Sequence, residues 1–250
     1  MNSTSIVTDI IVILDESGSM QVMGSEPVHS VNSIFTEQKN KQKFDDGATA
    51  TLVTFSDKSI RVIDSQKFSE LKELTMKDYN PEGKTTLNDT ICSTIKTKLD
   101  SSKPDNVVLM IITDGEENAS LIYSRDDVKR MIKLVEDDYD WKVIFIGANI
   151  DVFNSGNKMN IRSDRCAEFD QMVSGSLLTL CRSTSACVEN YRRCRSDGSA
   201  DSELTIPYNN RLSTTTEPPF KKQICEDLNG ELWPLAIERQ RATMFLTDIK

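Results

Sequence analysis

Residues 9–19 read DIIVILDESGS, and this stretch decides the fold. Its apolar run ends at Asp15, and a polar segment with two serines follows at once. A short, continuous apolar run is typical of a strand that is buried on both faces of a parallel sheet. We therefore predict a central strand over residues 9–14, with a polar loop at its carboxyl end.

Strands and helices alternate from this point to about residue 183. Apolar or β-branched runs predict further strands at 48–56, 59–64, 107–112 and 142–147. Amphipathic stretches predict helices that begin near Pro27, Leu87 and Ser124, and a last helix from Phe169 to Cys181. This order predicts a doubly wound α/β fold, with a mostly parallel sheet and helices on both faces.

The residues after 183 have a different character. They contain clusters of Ser, Thr, Asp and Asn, little periodicity, and a break at Glu217-Pro-Pro-Phe220. We expect residues 1–183 to fold without them. Residues 184–250 are expected to form an irregular C-terminal extension, which serves as a linker or as an arm that becomes ordered on a partner.

Charge excludes some classes of partner. The 250 residues carry a net charge of −9, and residues 184–250 hold nine basic and ten acidic side chains, so nearly all of that charge lies on residues 1–183. An acidic surface repels phosphate groups, so we expect no nucleic-acid partner. Since no apolar run approaches about 18 residues, we also expect no membrane span, and the first 14 residues lack the basic region of a signal peptide.

Cysteine and histidine usage excludes other kinds of site. None of the six cysteines forms a CxxC pair, and His29 is the only histidine. A zinc site or a disulfide framework is therefore not expected. The thiols indicate a reducing, intracellular compartment.

Three polar segments adjoin predicted strands or helices. In a doubly wound fold we expect these three segments to come together at one edge of the sheet. Asp15, Ser17 and Ser19 follow the first strand, Thr85 precedes a helix within Gly83-Lys-Thr-Thr-Leu, and Asp114 follows the 107–112 strand. In doubly wound sheets, ligands bind in the crevice beyond the carboxyl ends of the strands. Hydroxyls and carboxylates supply only oxygen, which suits Mg²⁺ or Mn²⁺.

These segments together resemble the metal-ion-dependent adhesion site of von Willebrand factor A domains. In that family Asp-x-Ser-x-Ser precedes a threonine in Gly-x-Thr-x-Leu and an aspartate in Thr-Asp-Gly, and this chain has DESGS, GKTTL and TDG. Thr-Phe-Ser-Asp at 54–57 is also similar to the family. FIGANIDV at 145–152 resembles stand-alone members from phages, large DNA viruses and bacteria.

The resemblance implies a fold and a function. It implies one antiparallel edge strand, expected at 59–64. It also implies hydroxyl ligands from Ser17, Ser19 and Thr85, with Asp15 and Asp114 acting directly or through water. A partner's Asp or Glu would complete the coordination, which makes the chain a metal-dependent protein-binding module. Lys84 stands where the family commonly has a second glycine.

Two acidic residues, Glu116 and Glu117, follow Asp114 and are expected near the mouth of the site. Their charge would attract a cation. It would disfavour an acidic partner unless basic residues surround the partner's carboxylate.

The sequence lacks residues that two classes of phosphate-processing enzyme require. The phosphate-binding loop that Gly83-Lys-Thr85 suggests needs a glycine at position 78, which is Asp78. A phosphatase that uses Asp15 as nucleophile needs a second acid at position 17, which is Ser17. We therefore expect no enzyme. The alternative function is a structural scaffold component, for example a minor virion or capsid protein, whose C-terminal arm contacts its neighbours.

Overall fold

The computed structural model describes residues 7–40, 48–58, 60–101, 106–196 and 203–206, all within the compact unit of residues 1–210. Six strands form one sheet: β1 (Thr8–Asp15), β2 (Thr49–Phe55), β3 (Ile60–Lys67), β4 (Asn106–Thr113), β5 (Lys142–Gly147) and β6 (Cys166–Glu168). Their spatial order is β3-β2-β1-β4-β5-β6. The central position of β1 explains its unbroken apolar run, since strands flank it on both sides.

The sheet is parallel except at one edge. β1 pairs in parallel with β2 and β4, and β5 and β6 continue the parallel order. β3 pairs antiparallel with β2, which confirms the predicted edge strand. The register shifts where Asp64 and Ser65 lie opposite Thr51, and the φ of Ser65 is 45°. There the Ser65 amide donates to Thr51 Oγ1 at 3.1 Å.

In the described part of the chain, five α-helices cover the sheet: α1 (Glu26–Asn40), α2 (Leu87–Ser101), α3 (Arg125–Tyr139), α4 (Val152–Lys158) and α5 (Ser176–Ser196). Alternate residues of β1, such as Val12, share a hydrophobic core with α1 and α5. The intervening residues point to the opposite face, where α2 and α3 pack against each other and the sheet. The doubly wound α/β fold with helices on both faces is thus confirmed. No described helix is both long enough and apolar enough to span a membrane.

The structure corrects the sequence analysis after β5. The short strand β6 and the short helix α4 were not predicted. The last helix begins at Ser176 rather than Phe169, because the carboxylate of Glu26 on α1 accepts hydrogen bonds from the amides of Gly175, Leu177 and Leu178. Such a cap, supplied from a distant helix, leaves no local sequence pattern.

The same helix continues past Arg182 to Ser196. Val188 and Tyr191 are buried in the core that α1 and the sheet form, and so are Leu204 and Ile206 farther on. The predicted boundary at residue 183 therefore falls inside α5, and residues 184–196 are helical rather than irregular. Residues 197–202 and 207–250 of the predicted extension, with the Glu217-Pro-Pro-Phe220 break, lie outside the described residues.

Candidate metal centre

Three loops meet at the carboxyl ends of β1 and β4. Asp15 is the last residue of β1, and Asp114 directly follows β4, its neighbour in the sheet. A Cβ atom built on Gly115 would lie 3.8 Å from both Ser19 Oγ and Thr85 Oγ1, so these two hydroxyls flank the same glycine. The structure thus places the predicted ligands from all three loops side by side.

Hydrogen bonds connect the ligand side chains to one another. Ser19 Oγ donates to Asp114 Oδ1 at 2.6 Å, and the hydroxyl oxygens of Ser17 and Ser19 lie 3.2 Å apart. Ser17 is buried, while Ser19 is exposed. The hydroxyls therefore form a short row that extends from the buried carboxylates toward solvent.

Asp15 is fully buried, and both of its carboxylate oxygens accept hydrogen bonds. The Ser17 amide donates to Oδ1 at 2.7 Å, and Thr113 Oγ1 donates to Oδ2 at 2.6 Å. Burial nevertheless raises the pKa of Asp15 to about 6. Neutral donors therefore do not fully compensate for the loss of hydration around this carboxylate.

One carboxylate oxygen of Asp114 is buried without a hydrogen-bond partner among the described residues. Its Oδ1 accepts from Ser19, but its Oδ2 has no hydrogen-bond partner among the described residues. Burial raises the pKa of Asp114 as well. A buried carboxylate oxygen without a partner is costly, and a cation removes that cost.

The backbone of Thr85 is clamped by the loop that follows β4. The Thr85 amide donates to Asn118 Oδ1 at 3.0 Å, and its carbonyl accepts from the amides of Asn118 and Ala119 at 3.2 and 3.1 Å. This loop also contains Gly115, so the segments that carry Thr85 and Asp114 are held together. The sequence analysis did not assign this role to Asn118, whose only signal was its nearness to Asp114.

Gly83 and Asp57 fix the approach to Thr85. The Gly18 amide donates to the Gly83 carbonyl at 3.1 Å, and the Lys84 amide donates to Asp57 Oδ1 at 2.6 Å. Gly83 has a φ of 79°, and a Cβ there would lie 2.0 Å from Asp57 Oδ1. Only glycine suits this position. Asp57, in the Thr-Phe-Ser-Asp segment after β2, therefore supports the loop rather than the metal directly.

Tyr79 is a further supporting residue that the sequence analysis missed. Its buried hydroxyl donates to the carbonyl of Asp15 at 2.7 Å. The next residue, Asn80, donates its amide to Glu16 Oε1 at 2.5 Å. The irregular segment before Gly83 is thereby tied to the loop after β1. No periodic pattern marks such a segment in the sequence.

The two acids after Asp114 behave differently from each other. Glu116 is exposed. The carboxylate of Glu117 instead accepts from the amides of Asn88, Ala119 and Ser120, at 2.8, 2.8 and 2.7 Å. Glu117 therefore holds the loop against the first turn of α2, and only Glu116 fits the expectation of a solvated acid at the rim.

The donor set fits a hard divalent cation. Within the described ranges, no group of three His, Cys, Asp or Glu side chains is placed to hold a metal, so the candidate centre depends on hydroxyls as well as carboxylates. Two buried carboxylates and three hydroxyls provide oxygen ligands of the kind that Mg²⁺ and Mn²⁺ prefer. The unpartnered Asp114 Oδ2 is the observation that matches a bound cation most directly.

The von Willebrand factor type A domain model matches residues 9–173, about two thirds of the chain. The chain belongs to this family. Domains of the family generally mediate protein–protein interactions, often with a divalent metal, and most are not enzymes. The match spans β1 to β6 and includes all three segments of the candidate centre.

Solved structures share the fold at low sequence identity. Proximal thread matrix protein 1 from the mussel byssus is 16% identical with a TM-score of 0.51, over 76% of this chain and 47% of that one. A von Willebrand factor type A protein from Catenulispora acidiphila is 15% identical with a TM-score of 0.50, over 74% and 43%. The PilB minor pilin from Streptococcus sanguinis is 12% identical with a TM-score of 0.51, over 79% and 63%.

This chain spans about half the length of the solved structures that it matches, between 43% and 63% in these three. No curated protein matches the sequence. Identities this low show the fold alone. The resemblance to stand-alone members from phages, large DNA viruses and bacteria therefore stays a prediction.

Proposed function

We propose that the chain is a metal-dependent protein-binding module, in which Mg²⁺ or Mn²⁺ held by Asp15, Ser17, Ser19, Thr85 and Asp114 binds an Asp or Glu of a partner. The observation that carries this proposal is the buried, unpartnered Oδ2 of Asp114, whose other carboxylate oxygen accepts from Ser19 in the row of hydroxyls with Ser17. Among the described residues, no lysine or arginine forms an ion pair with Asp15 or Asp114.

Charge balance explains why an acidic partner fits. Two carboxylates match the charge of a divalent cation, and the hydroxyls add none. The bound metal would supply Lewis acidity toward one further anionic oxygen. Ser19 is exposed, so the row of hydroxyls leads to the surface. There a partner's carboxylate gains a charge-assisted contact in a partly desolvated cleft.

We also propose that the site performs no hydrolysis. General acid–base chemistry needs a side chain positioned within reach of the reacting group. His29, the only histidine, is exposed on α1, after the short 3-10 turn (Gly18–Met23) that contains Ser19. Asp15 and Asp114 are assigned to the metal, and Glu117 is occupied by backbone amides.

An intracellular, reducing location is part of the proposal. Cys92, Cys166, Cys181 and Cys187 carry free thiols. Burial raises the pKa of Cys92 and of Cys166 to about 12, so these thiols are poorly reactive packing residues. The scaffold alternative depends on residues 184–250, of which 197–202 and 207–250 lie outside the described part of the chain.

Titration calorimetry with Mg²⁺ and Mn²⁺ tests the proposal. Asp15→Ala and Asp114→Ala are expected to abolish metal binding. Glu116→Gln is the matched control, since it removes a nearby acid that is exposed and not a proposed ligand. It should change affinity less than about threefold, as expected for a screened surface charge. Equal affinity in the wild type and both alanine variants would refute the site.

A further inference from the structure

Two large aliphatic side chains lie exposed in the loop that begins with the proposed ligand Asp114. Leu121 is 94% exposed and Ile122 is 76% exposed, in the loop between β4 and α3. We call this pair the apolar tip. Exposed apolar groups that adjoin a binding site are a frequent mark of an interaction surface.

The backbone of the apolar tip is held firmly by an acid on α2. The Asp89 carboxylate accepts from the amides of Leu121, Ile122 and Tyr123, at 2.8, 3.0 and 2.7 Å. Glu117 fixes the preceding residues of the same loop through the amides of Ala119 and Ser120. The two side chains are therefore presented on a fixed backbone, and a partner that covers them pays little for ordering the loop.

The apolar tip is close to the proposed ligand Thr85. Asn118 contacts the Thr85 backbone directly, with 3.0 Å between Asn118 Oδ1 and the Thr85 amide nitrogen. Leu121 is three residues farther along, and three residues span at most about 11 Å of chain. Three residues of an extended partner segment span about 10 Å, so one short segment can cover the distance from the neighbourhood of Thr85 to the apolar tip.

Charge favours a protein as the occupant. The net charge of −9 and the exposed Glu116 repel anionic surfaces such as acidic membranes. The proposed metal offsets this repulsion for an acidic side chain that binds to it. A neutral apolar contact nearby adds affinity without further charge repulsion.

We propose that the apolar tip and the metal form one bipartite docking surface. Its occupant is a partner protein segment that carries an Asp or Glu and, within three residues of it, a large apolar side chain. The acid binds the metal while the apolar side chain packs on Leu121 and Ile122. This inference rests on the proposed function, because the acid is the ligand of the metal.

Binding of the full chain to short synthetic peptides tests this inference. Each peptide has a central Asp in a Gly-Ser background, with one Leu at a position from one to six residues away. In Mg²⁺, peptides with Leu within three residues should bind roughly tenfold tighter than the peptide without Leu, as partial burial of one leucine predicts. Peptides with Leu five or six residues away should show a smaller gain.

Leu121→Ser should remove this gain and leave the affinity for the leucine-free Asp peptide unchanged. Val62→Ser is the matched control, because Val62 is 55% exposed on the edge strand β3 and is not part of the apolar tip. It should keep the gain.

The possible failures are distinguishable. If Asp peptides bind in a Mg²⁺-dependent way but Leu gives no gain, or Leu121→Ser keeps the gain, the inference is overturned and the proposed function stands. If no Asp peptide binds better in Mg²⁺ than in EDTA, the proposed function fails as well. Binding to phosphatidylcholine vesicles that Leu121→Ser abolishes would assign the apolar tip to lipid and overturn the inference.

Discussion

A carboxylate is buried at each end of the central strand β1, but the groups that surround the two carboxylates differ in charge. At the amino end, Asp9 is buried 2.9 Å from the equally buried Lys98 Nζ, which also contacts Asp64. At the carboxyl end, Asp15 and Asp114 are buried with hydroxyls and amides alone, and no ion pair among the described residues reaches them.

The pKa values follow this difference. Lys98 lowers the pKa of Asp64 through its hydrogen bond, whereas burial raises the pKa of Asp15 and of Asp114. At the amino end, the ammonium group of Lys98 compensates the negative charge of Asp9 and Asp64. At the carboxyl end the described residues supply no such cation, and the proposed function assigns that role to a metal ion from solution.

Truncation of the chain at residue 183 should lower stability more than any other change considered. It removes contacts near the amino ends of the sheet strands. Tyr191 of α5 donates its hydroxyl to Asn106 Oδ1 at the start of β4. A chain that ends at residue 183 loses the buried Val188, Tyr191, Leu204 and Ile206. At about 1.5–3 kcal/mol each, this loss is comparable to the total stability of about 5–15 kcal/mol that a domain has.

We therefore expect the 1–183 chain to be molten or insoluble, in contrast to the prediction from sequence. A chain that ends at residue 206 is the control and should melt cooperatively in circular dichroism. Cooperative melting of both chains at similar temperatures would show that α5 beyond residue 183 is dispensable.

Removal of the buried lysine should have the next largest effect. Lys98→Met leaves Asp9 buried without its cation, which typically costs about 3–5 kcal/mol. Urea denaturation measures this loss. Lys96→Met changes an exposed lysine on the same helix and should cost less than about 0.5 kcal/mol. Equal costs for the two variants would mean that the ion pair contributes nothing specific.

Magnesium should stabilise the carboxyl end by a smaller amount. At a Mg²⁺ concentration of about 100 times Kd, binding adds about 2.7 kcal/mol to the free energy of unfolding. That gain corresponds to a rise in Tm of about 5–10 °C for a domain of this size. Asp114→Ala should lose the rise, while Glu116→Gln should keep it. A similar rise in the Asp114→Ala protein would place the stabilising ion elsewhere.

The smallest expected loss of stability comes from removing the single hydroxyl of Thr113, which lies next to Asp15. Thr113→Val removes the donor to Asp15 Oδ2 and should cost about 1–3 kcal/mol, because a buried acceptor loses its partner. The matched control is Thr54→Val on the neighbouring strand β2. The Thr54 hydroxyl is buried without a partner among the described residues, so this change should be neutral or stabilising.

Urea denaturation in EDTA compares these two variants without any contribution from metal. Equal stability of Thr113→Val and Thr54→Val would show that the hydrogen bond from Thr113 to Asp15 contributes nothing to stability.

The sequence predicts the centre of the fold better than its edges. β1, β2, β4 and β5 lie inside the sheet, so their apolar runs report burial directly. β6 has only three residues and forms at the edge of the sheet. There the neighbouring α4 fits because Gly156 leaves room for Cys166; a Cβ on that glycine would lie 2.3 Å from the sulfur. Pairing of this kind depends on distant contacts, which no local pattern records.

For the candidate site, the sequence predicts residue types but not their support. Asp15, Ser17 and Ser19 lie in one short segment, and Asp114 follows an obvious strand. The supporting groups Thr113, Asn118 and Tyr79 act through hydrogen bonds between segments far apart in sequence. Of these three, only Thr113 lies in a segment that the sequence analysis singled out, Thr-Asp-Gly. Its position beside Asp114 could have suggested that its hydroxyl supports the site.

The central claim is that the carboxyl end of the sheet holds a divalent cation that the chain does not replace with its own lysine or arginine. A crystal structure of the full chain grown with Mn²⁺, with anomalous scattering data, tests it most directly. We expect an anomalous peak within about 2.0–2.3 Å of the Ser17 and Ser19 hydroxyls, near the ideal distance for a small divalent ion, and next to Asp114 Oδ2. The absence of a peak at this position at saturating Mn²⁺, or a peak only at Asp9 and Asp64, would contradict it.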